Sequence, residues 1–359
     1  MISLKNIEKV DDEIRTYGGF PSQIKNLTQL GKVSVIAPAK DVVDFSNNYE
    51  KLCASHLGDM KVRSNIISRN LEYTKIFKIL NSTYDQDTIY EIRLPDFLGI
   101  FALIYFKLKK RQNFYVRIIA NWQVEQIIAD KILKKAFFKI YNIFEKFLVK
   151  HVIGIDQTLR YKNLVYFPST IIERKQIINS LRDEEKKYDF IYVGRLEKVK
   201  GADRLLQICK ALKKHKLNIC IIGDGKYFND LAKLGLENVS LLGRIRHDEI
   251  LAEIRKSKVL LLPSLSEGSP KVVLEAWSQG VPVLATTAGF YDRFLKDSQG
   301  GTLFDGSFPH DVIKAYAIVM SKYEEFSTAS LKLAASFTVE QEVILLGNII
   351  DEVQASASV

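Results

Sequence analysis

The second half of the chain alternates short apolar runs with amphipathic stretches. The runs are rich in β-branched residues and are bounded by glycine or proline, which is typical of strands buried on both faces. These runs are residues 189–196, 218–225, 238–243, 259–264, 281–286 and 301–304. The intervals have helical periodicity, for example in residues 203–214 and 247–256. The alternation predicts a parallel, doubly wound sheet.

The first half follows the same pattern less regularly. A first strand is expected before Gly18, although residues 4–10 are unusually polar for one. The remaining predicted strands are residues 33–38, 88–94, 114–120, 151–155 and 164–169. A charged stretch at residues 182–187 marks a domain boundary. We therefore predict an α/β fold with two doubly wound Rossmann-like domains, whose facing strand ends form a central ligand cleft.

The composition is that of a globular enzyme. The chain has 359 residues, of which 47% are hydrophobic and 26% are charged, and this length suits two domains. Three widely spaced cysteines favour a reducing compartment over a disulfide framework or a zinc site. The polar N-terminus does not resemble a signal peptide. The longest apolar run, residues 97–106, is shorter than the ~20 residues of a membrane span, so we expect a cytoplasmic location.

Residues 267–286 carry the clearest candidate chemistry. This stretch follows a predicted strand and begins a helix, with Pro270 expected in the first helical turn and Gly280 at its C-terminal end. The backbone amides expected around Gly268 and Ser269 at the start of the helix, together with the helix dipole, favour an anion such as a diphosphate at this point.

Two glutamates lie eight residues apart in this stretch. Glu267 is in the loop and Glu275 is in the second turn of the helix, so the two carboxylates suit hydroxyl groups at opposite ends of one ligand. Taken singly, each is more often a solvated charge. With the surrounding Glu-Gly-x-Pro and Gly-x-Pro-Val sequences, the pair resembles the signature of glycosyltransferase family 4. Similar motifs occur in the family's order at residues 193–201, 221–225, 241–245 and 262–268.

The resemblance covers residues 190–305 densely and implies a retaining hexosyltransferase of the GT-B architecture, with a nucleoside-diphosphate sugar as donor. Arg195 and Lys200 would bind the donor diphosphate and stabilise the charge that develops on it. Glu267 would hydrogen-bond the hydroxyl groups of the transferred sugar, and Glu275 those of the ribose. The other expected donor-binding residues are Gly18, Gly19, Gly194, Gly223, Gly225, Gly268, Ser269 and Pro270.

In the first half, the loop around Gly18 and Gly19 resembles the family's glycine loop, in which the backbone approaches the donor phosphate and the acceptor closely. An ordinary turn of the same composition is the alternative. Many family members carry a histidine after the fourth strand of this half, but residues 118–125 contain none. The departing phosphate would then accept the proton of the acceptor, and no side chain is assigned to activate it.

Asp85 and Asp87 form an Asp-Gln-Asp sequence that looks like the metal-binding motif of the other glycosyltransferase architecture. This sequence directly precedes a predicted buried strand, where acidic turn residues are common, and the donor motifs lie elsewhere. We therefore expect no metal and no cofactor apart from the nucleotide sugar, which is a co-substrate.

A basic segment accounts for most of the net charge. Residues 101–150 hold eleven basic and three acidic residues, which is +8 of the net +10. Near its end, apolar side chains recur at helical spacing among lysines, at Leu133, Phe137, Ile140, Tyr141, Phe144 and Leu148. Two interpretations stay open: an interfacial helix on an anionic membrane surface, and a core helix with a solvated lysine face. A nucleic-acid partner is disfavoured because no reading helix or stacking sheet accompanies the segment.

We predict an acceptor-side domain at residues 1–185, a donor-binding domain at 186–336, and a C-terminal helix in 337–359 that returns towards the first domain. The enzyme would transfer a sugar to a membrane-anchored glycan in polysaccharide or lipopolysaccharide biosynthesis. It would work in the cytoplasm, with attachment to the inner face of the cell membrane if the basic segment is interfacial. The alternatives are a catalytically silent nucleotide-sugar-binding partner subunit and a nucleotide-sugar epimerase of the same fold.

Overall fold

The computed structural model describes residues 7–10, 13–16, 30, 39–40, 51–52, 76–95, 97–119, 132–158, 160–178, 186–267, 269–288, 291–297, 299–306 and 309–357. Contacts divide the chain into two compact units, Met1–Ile171 with Glu340–Val359, and Ile172–Val339. The contact boundaries thus fall after residues 171 and 339, whereas the sequence suggested boundaries after residues 185 and 336.

Strands β1 to β14 of the described residues are Ile7–Val10, Glu13–Thr16, Ala39–Lys40, Lys51–Leu52, Tyr90–Leu94, Phe114–Ile118, Gly154–Asp156, Val165–Tyr166, Tyr188–Val193, Ile219–Ile222, Val239–Gly243, Ser257–Leu262, Val283–Ala285 and Gly301–Leu303. Helices α1 to α11 are Ile76–Thr83, Phe97–Leu108, Ile132–Val149, Ala202–Lys214, Phe228–Lys233, His247–Arg255, Lys271–Ser278, Asp292–Lys296, Pro309–Ser321, Tyr323–Ser336 and Val339–Ala357. Short 3-10 helices occur at Arg174–Gln176 and Lys198–Lys200.

The first unit contains two sheets. A small mixed sheet has the order β3-β1-β2-β4, in which β1 and β2 form an antiparallel hairpin. The strand expected before Gly18 therefore corresponds to β1, but it lies in a hairpin rather than in a parallel sheet. The second sheet is parallel, with the order β5-β6-β7-β8. The predicted strand at 33–38 lies outside the described residues.

Strand β5 shows why this parallel sheet is covered on both faces. Tyr90, Ile92 and Leu94 alternate along the strand and join an apolar core with α1, α2 and α3. The intervening residues of β5 carry charged side chains that are buried on the opposite face. Because buried charges need partners, this second face requires an ion-pair network.

That network reaches the C-terminal helix. Glu91 accepts hydrogen bonds from Arg93 Nε at 2.5 Å, from Arg117 Nε at 2.9 Å and from Tyr115 at 2.6 Å. Arg117 Nη1 also donates to Glu342 Oε1 of α11 at 2.8 Å. Burial opposes ionisation, but the Arg117 and Arg93 guanidinium groups hold the pKa of Glu91 below its usual range. A buried ion pair thus joins α11 to the sheet of the first unit.

The second unit has a six-stranded parallel sheet with the order β11-β10-β9-β12-β13-β14. Its central strands are buried on both faces, as the unalternated apolar runs predicted. Helix α4 packs on the sheet through Leu205, Ile208, Cys209 and Leu212, which follow the i, i+3, i+4, i+7 spacing of one helix face. The predicted α/β class with parallel sheets is confirmed.

Among the described helices, none is by itself long and apolar enough to span a membrane, although α10 and α11, bent by 41°, pass that test together.

Candidate active site

The strand order of the second unit creates a switch point between β9 and β12. From β9 the chain moves outward through β10 and β11, then returns to β12 on the other side of β9 and continues through β13 and β14. The loops that follow β9 and β12 therefore diverge at the carboxyl edge of the sheet. Ligands of open parallel sheets bind at such a point. Both predicted catalytic segments, the loop after β9 and the loop after β12, lie there.

An ion pair bridges these two loops. Lys200 Nζ lies 2.5 Å from Glu267 Oε2; the side chain of Lys200 is 26% exposed and that of Glu267 only 4%. Ser264 Oγ donates to the other carboxylate oxygen of Glu267 at 2.7 Å. The backbone amide of Leu265 donates to Val199 O at 3.0 Å, which ties the loops together beside the pair. The Glu267 carboxylate is thus buried and hydrogen-bonded, while the Lys200 ammonium group is partly exposed to solvent.

Two buried tyrosines lie within electrostatic range of the same carboxylate. Burial raises the pKa of Tyr192, and the negative charge of Glu267 raises it further, while Arg195 acts in the opposite direction. Burial and Glu267 likewise raise the pKa of Tyr291. Both phenols therefore stay neutral at physiological pH. The Tyr192 hydroxyl donates to the backbone carbonyl of Arg195 at 2.9 Å, which fixes the loop that carries the exposed Arg195 side chain.

Glycines allow the loops after β9 and β10 to approach each other. Gly223 has φ of 141°, and a Cβ atom there would lie 1.9 Å from the carbonyl oxygen of Gly194. Gly225 has φ of 146°, and its Cβ would lie 2.8 Å from Leu196 O. Side-chain-bearing residues rarely adopt this backbone conformation and would collide with the neighbouring loop. The three predicted donor-binding glycines 194, 223 and 225 therefore lie together at the sheet edge.

Glu275 is buried on α7 and lies close to a histidine. His247 Nδ1, at the first residue of α6, lies 3.6 Å from Glu275 Oε1, and the side chain of Glu275 is 7% exposed. Burial raises the pKa of Glu275, whereas His247 and Lys271 lower it. Helix α7 begins at Lys271, so Pro270 is the N-cap residue and not part of the first turn as expected.

The structure brings several predicted site residues to one edge of the sheet. Lys200 and Glu267 are in direct contact, and Arg195 is in the same loop as Lys200. Gly18, Gly19 and Gly268 lie outside the described residues. The catalytic and binding roles inferred from the resemblance stay predictions. Sequence reasoning missed four residues that contact or electrostatically influence the two glutamates or the Arg195 loop: Tyr192, His247, Ser264 and Tyr291.

The Asp85 carboxylate closes a turn before β5. It accepts hydrogen bonds from Thr88 Oγ1 at 2.8 Å and from the Asp87 amide at 3.1 Å. These are the contacts of an acidic turn residue. Among the residues that the structure describes, no group of three or more histidine, cysteine, aspartate or glutamate side chains has the arrangement of a metal site.

Residues 173–330 match the family model of glycosyl transferases group 1. The matched residues contain the Lys200–Glu267 pair and the buried Glu275. The chain is also 27% identical over 320 residues to an uncharacterized 41.2 kDa protein in the cps region of Klebsiella pneumoniae, covering 83% of this chain and 86% of that one. It spans less than half the length of other curated relatives that it matches.

Solved glycosyltransferase structures have the same fold. Sucrose-phosphate synthase from Thermosynechococcus elongatus has a TM-score of 0.68 at 14% identity, over 99% of both chains. The lipopolysaccharide outer core galactosyltransferase WaaB has a TM-score of 0.64 at 16% identity, over 98% of this chain and 99% of that one. The protein thus has the GT-B fold, as predicted. The narrower assignment to glycosyltransferase family 4 stays a prediction.

Proposed function

We propose that the protein is a retaining, metal-independent hexosyltransferase. It transfers a sugar from a nucleoside-diphosphate sugar to a membrane-anchored glycan acceptor in polysaccharide or lipopolysaccharide biosynthesis. The observation that carries the proposal is the Lys200–Glu267 ion pair at the switch point of the sheet, within the residues that match the glycosyl transferases group 1 model. The pair holds a cation and a hydroxyl-binding carboxylate side by side, which are the two groups needed where a sugar joins a phosphate.

The cationic side chains stabilise the leaving diphosphate as the glycosidic bond breaks. When C1 of the sugar separates from the diphosphate oxygen, that oxygen gains negative charge, and Lys200 with the exposed Arg195 stabilises it. The acceptor oxygen bonds to C1 on the same face, and its proton passes to the departing phosphate. No side-chain base is needed for this step, and the two cationic side chains supply the charge that a metal supplies elsewhere.

The carboxylates orient the donor. Each carboxylate oxygen of Glu267 accepts one hydrogen bond, from Ser264 and from Lys200, and each keeps a lone pair that a sugar hydroxyl can donate to. Glu275 is buried one helix turn beyond the loop and holds the ribose hydroxyls. Hydrogen bonds between Glu267 and the sugar and between Glu275 and the ribose fix both ends of the donor. C1 of the sugar is then held beside the cations that bind the diphosphate.

The acceptor class rests on the relatives. The Klebsiella pneumoniae protein belongs to a cps region, and WaaB is a lipopolysaccharide outer core galactosyltransferase. From these two names we infer a glycan that grows on a membrane anchor as the acceptor class. We place the reaction on the cytoplasmic side of the membrane.

A donor panel tests the proposal. The purified chain is incubated with nucleoside-diphosphate sugars and with lipid-linked or free glycan acceptors, and the product is analysed by NMR. We expect one donor to be consumed with retention of the anomeric configuration, and we expect EDTA to have no effect on turnover. Inversion, or loss of turnover in EDTA that Mn²⁺ restores, would contradict the mechanism. Tight binding of a nucleotide sugar without turnover on any acceptor would instead favour the silent partner subunit.

A further inference from the structure

Helix α3 of the first unit exposes an unusual number of large apolar side chains. Ile140 is 69% exposed, Ile143 62%, Phe144 43% and Phe147 73%. At 3.6 residues per turn, these positions fall within an arc of about 100° on one side of the helix. We call this strip of four residues the α3 outer face.

The same helix already packs into the core through a different stripe. Tyr141, Leu148 and Val149 are buried among the apolar residues of α2 and the parallel sheet. An ordinary amphipathic helix needs one apolar stripe and presents polar residues on its other side. The α3 outer face is therefore apolar surface beyond what the fold requires, and contiguous exposed surface of this kind marks an interaction site.

Among the described side chains of α3 and the residue that follows it, the charges beside this face are all positive. Lys139, Lys146 and Lys150 are exposed and lie along one border of the strip. Glu145 is the only acidic residue of α3, and it is turned inward, where its carboxylate accepts hydrogen bonds from Arg160 at 3.1 Å and from Tyr161. Folding thus removes the single carboxylate of the helix from its surface.

We propose that the α3 outer face inserts into the surface of an anionic lipid bilayer, with Lys139, Lys146 and Lys150 at the level of the headgroups. The aromatic and aliphatic side chains suit burial at the boundary between headgroups and acyl chains, and the lysines suit contact with the negatively charged headgroups. A second copy of this chain fits less well, because a symmetric contact brings identical lysine borders near each other. The inference does not depend on the proposed chemistry, since its test requires no sugar transfer.

Vesicle flotation of the full-length protein is the direct test. We expect binding to phosphatidylcholine vesicles that contain phosphatidylglycerol, little binding to phosphatidylcholine alone, and weakening in high salt. Ile143→Ser with Phe147→Ser should lower the partition coefficient by ~10-fold or more, because two inserted side chains are lost. Lys139→Gln with Lys146→Gln and Lys150→Gln should lower it by roughly 10²-fold, since each lysine contributes about fivefold.

Matched controls separate this face from exposed apolar surface in general. Ile318→Ser with Ile344→Ser removes two isoleucines that are 54% and 57% exposed on other helices, and it should bind vesicles like the wild type. All variants should keep the wild-type melting temperature, because only exposed side chains change. Equal binding by the outer-face and control variants, or no preference for anionic vesicles, would overturn the proposal.

Two further measurements address insertion and the rival partner. In Phe147→Trp, tryptophan emission should shift to the blue on anionic vesicles and be quenched by brominated lipid; an unchanged spectrum would overturn insertion. Light scattering after gel filtration should give the same mass for the wild type and for Ile143→Ser with Phe147→Ser. A wild-type dimer that this variant converts to a monomer would assign the face to a second copy instead.

Discussion

Lys200→Ala tests the donor site most directly. The substitution removes an ammonium group that lies 2.5 Å from Glu267 Oε2 at the switch point of the sheet. Loss of one pre-placed group that stabilises developing charge typically costs ~2.7–4 kcal/mol of transition-state stabilisation. We therefore expect kcat/KM to fall by ~10²-fold or more, and Arg195→Ala to have an effect of similar size.

The same substitution has a separate cost in stability. Without Lys200, the Glu267 carboxylate stays buried with Ser264 as its remaining side-chain hydrogen-bond donor among the described contacts. Removing one partner of a fully buried pair costs ~3–5 kcal/mol, whereas an exposed pair contributes ~0–1 kcal/mol. Because Lys200 is 26% exposed and Glu267 is 4% exposed, we expect an intermediate loss of about 2 kcal/mol.

A double-mutant cycle separates the two effects. Lys200→Ala, Glu267→Gln and the double variant are compared for transfer kinetics, for nucleoside-diphosphate affinity and for urea unfolding. The double variant should be more stable than the sum of the single losses implies, because no buried charge is left unpaired. Lys198→Ala, on the same 3-10 helix but exposed, is the matched control and should retain activity. Near-wild-type turnover in Lys200→Ala, or an equal loss in Lys198→Ala, would refute the assignment.

Three further predictions follow from contacts in the two units. Glu342→Gln leaves the buried Arg117 with one carboxylate fewer, so chemical unfolding should show a loss of ~3–5 kcal/mol; an unchanged unfolding midpoint would contradict the pair's burial. Gly223→Ala should abolish nucleoside-diphosphate binding, measured by calorimetry, because its Cβ would lie 1.9 Å from a backbone oxygen of the neighbouring loop. His247→Gln should weaken the same binding several-fold while His310→Gln, an exposed control, does not; equal effects would remove His247 from the site.

The fold of the second unit was predictable because the sequence of its central strands consists of uninterrupted apolar runs. The central strands are buried on both faces, and their shortness and β-branched composition favour strands over buried helix segments. The contact between Lys200 and Glu267 could be expected from the motifs alone. Both residues follow strands of the predicted parallel sheet, and the carboxyl ends of such strands lie at the same edge of the sheet. Ser264 could have been found as the hydroxyl residue three positions before Glu267, but its hydrogen bond depends on the loop conformation.

The first unit was less predictable because its decisive contacts join distant residues. Arg117 and Glu342 are 225 positions apart, and in the sequence each resembles an ordinary surface charge. Helix α3 posed another problem, because two apolar stripes run along it and periodicity does not say which one faces the core. Tyr141 and Leu148 of the predicted stripe are buried, whereas Ile140 and Phe144 of the same stripe are exposed.

The pairing of Arg117 with Glu342 also sets an order of events during synthesis. Ribosomes add about 5–20 residues per second, so Arg117 emerges roughly ten seconds or more before the α11 carboxylate that it binds. The second unit is contiguous, from Ile172 to Val339, and is translated completely within that interval. On the ribosome, the second unit therefore has all its residues first, and the first unit completes its buried ion-pair network only after α11 has been synthesised.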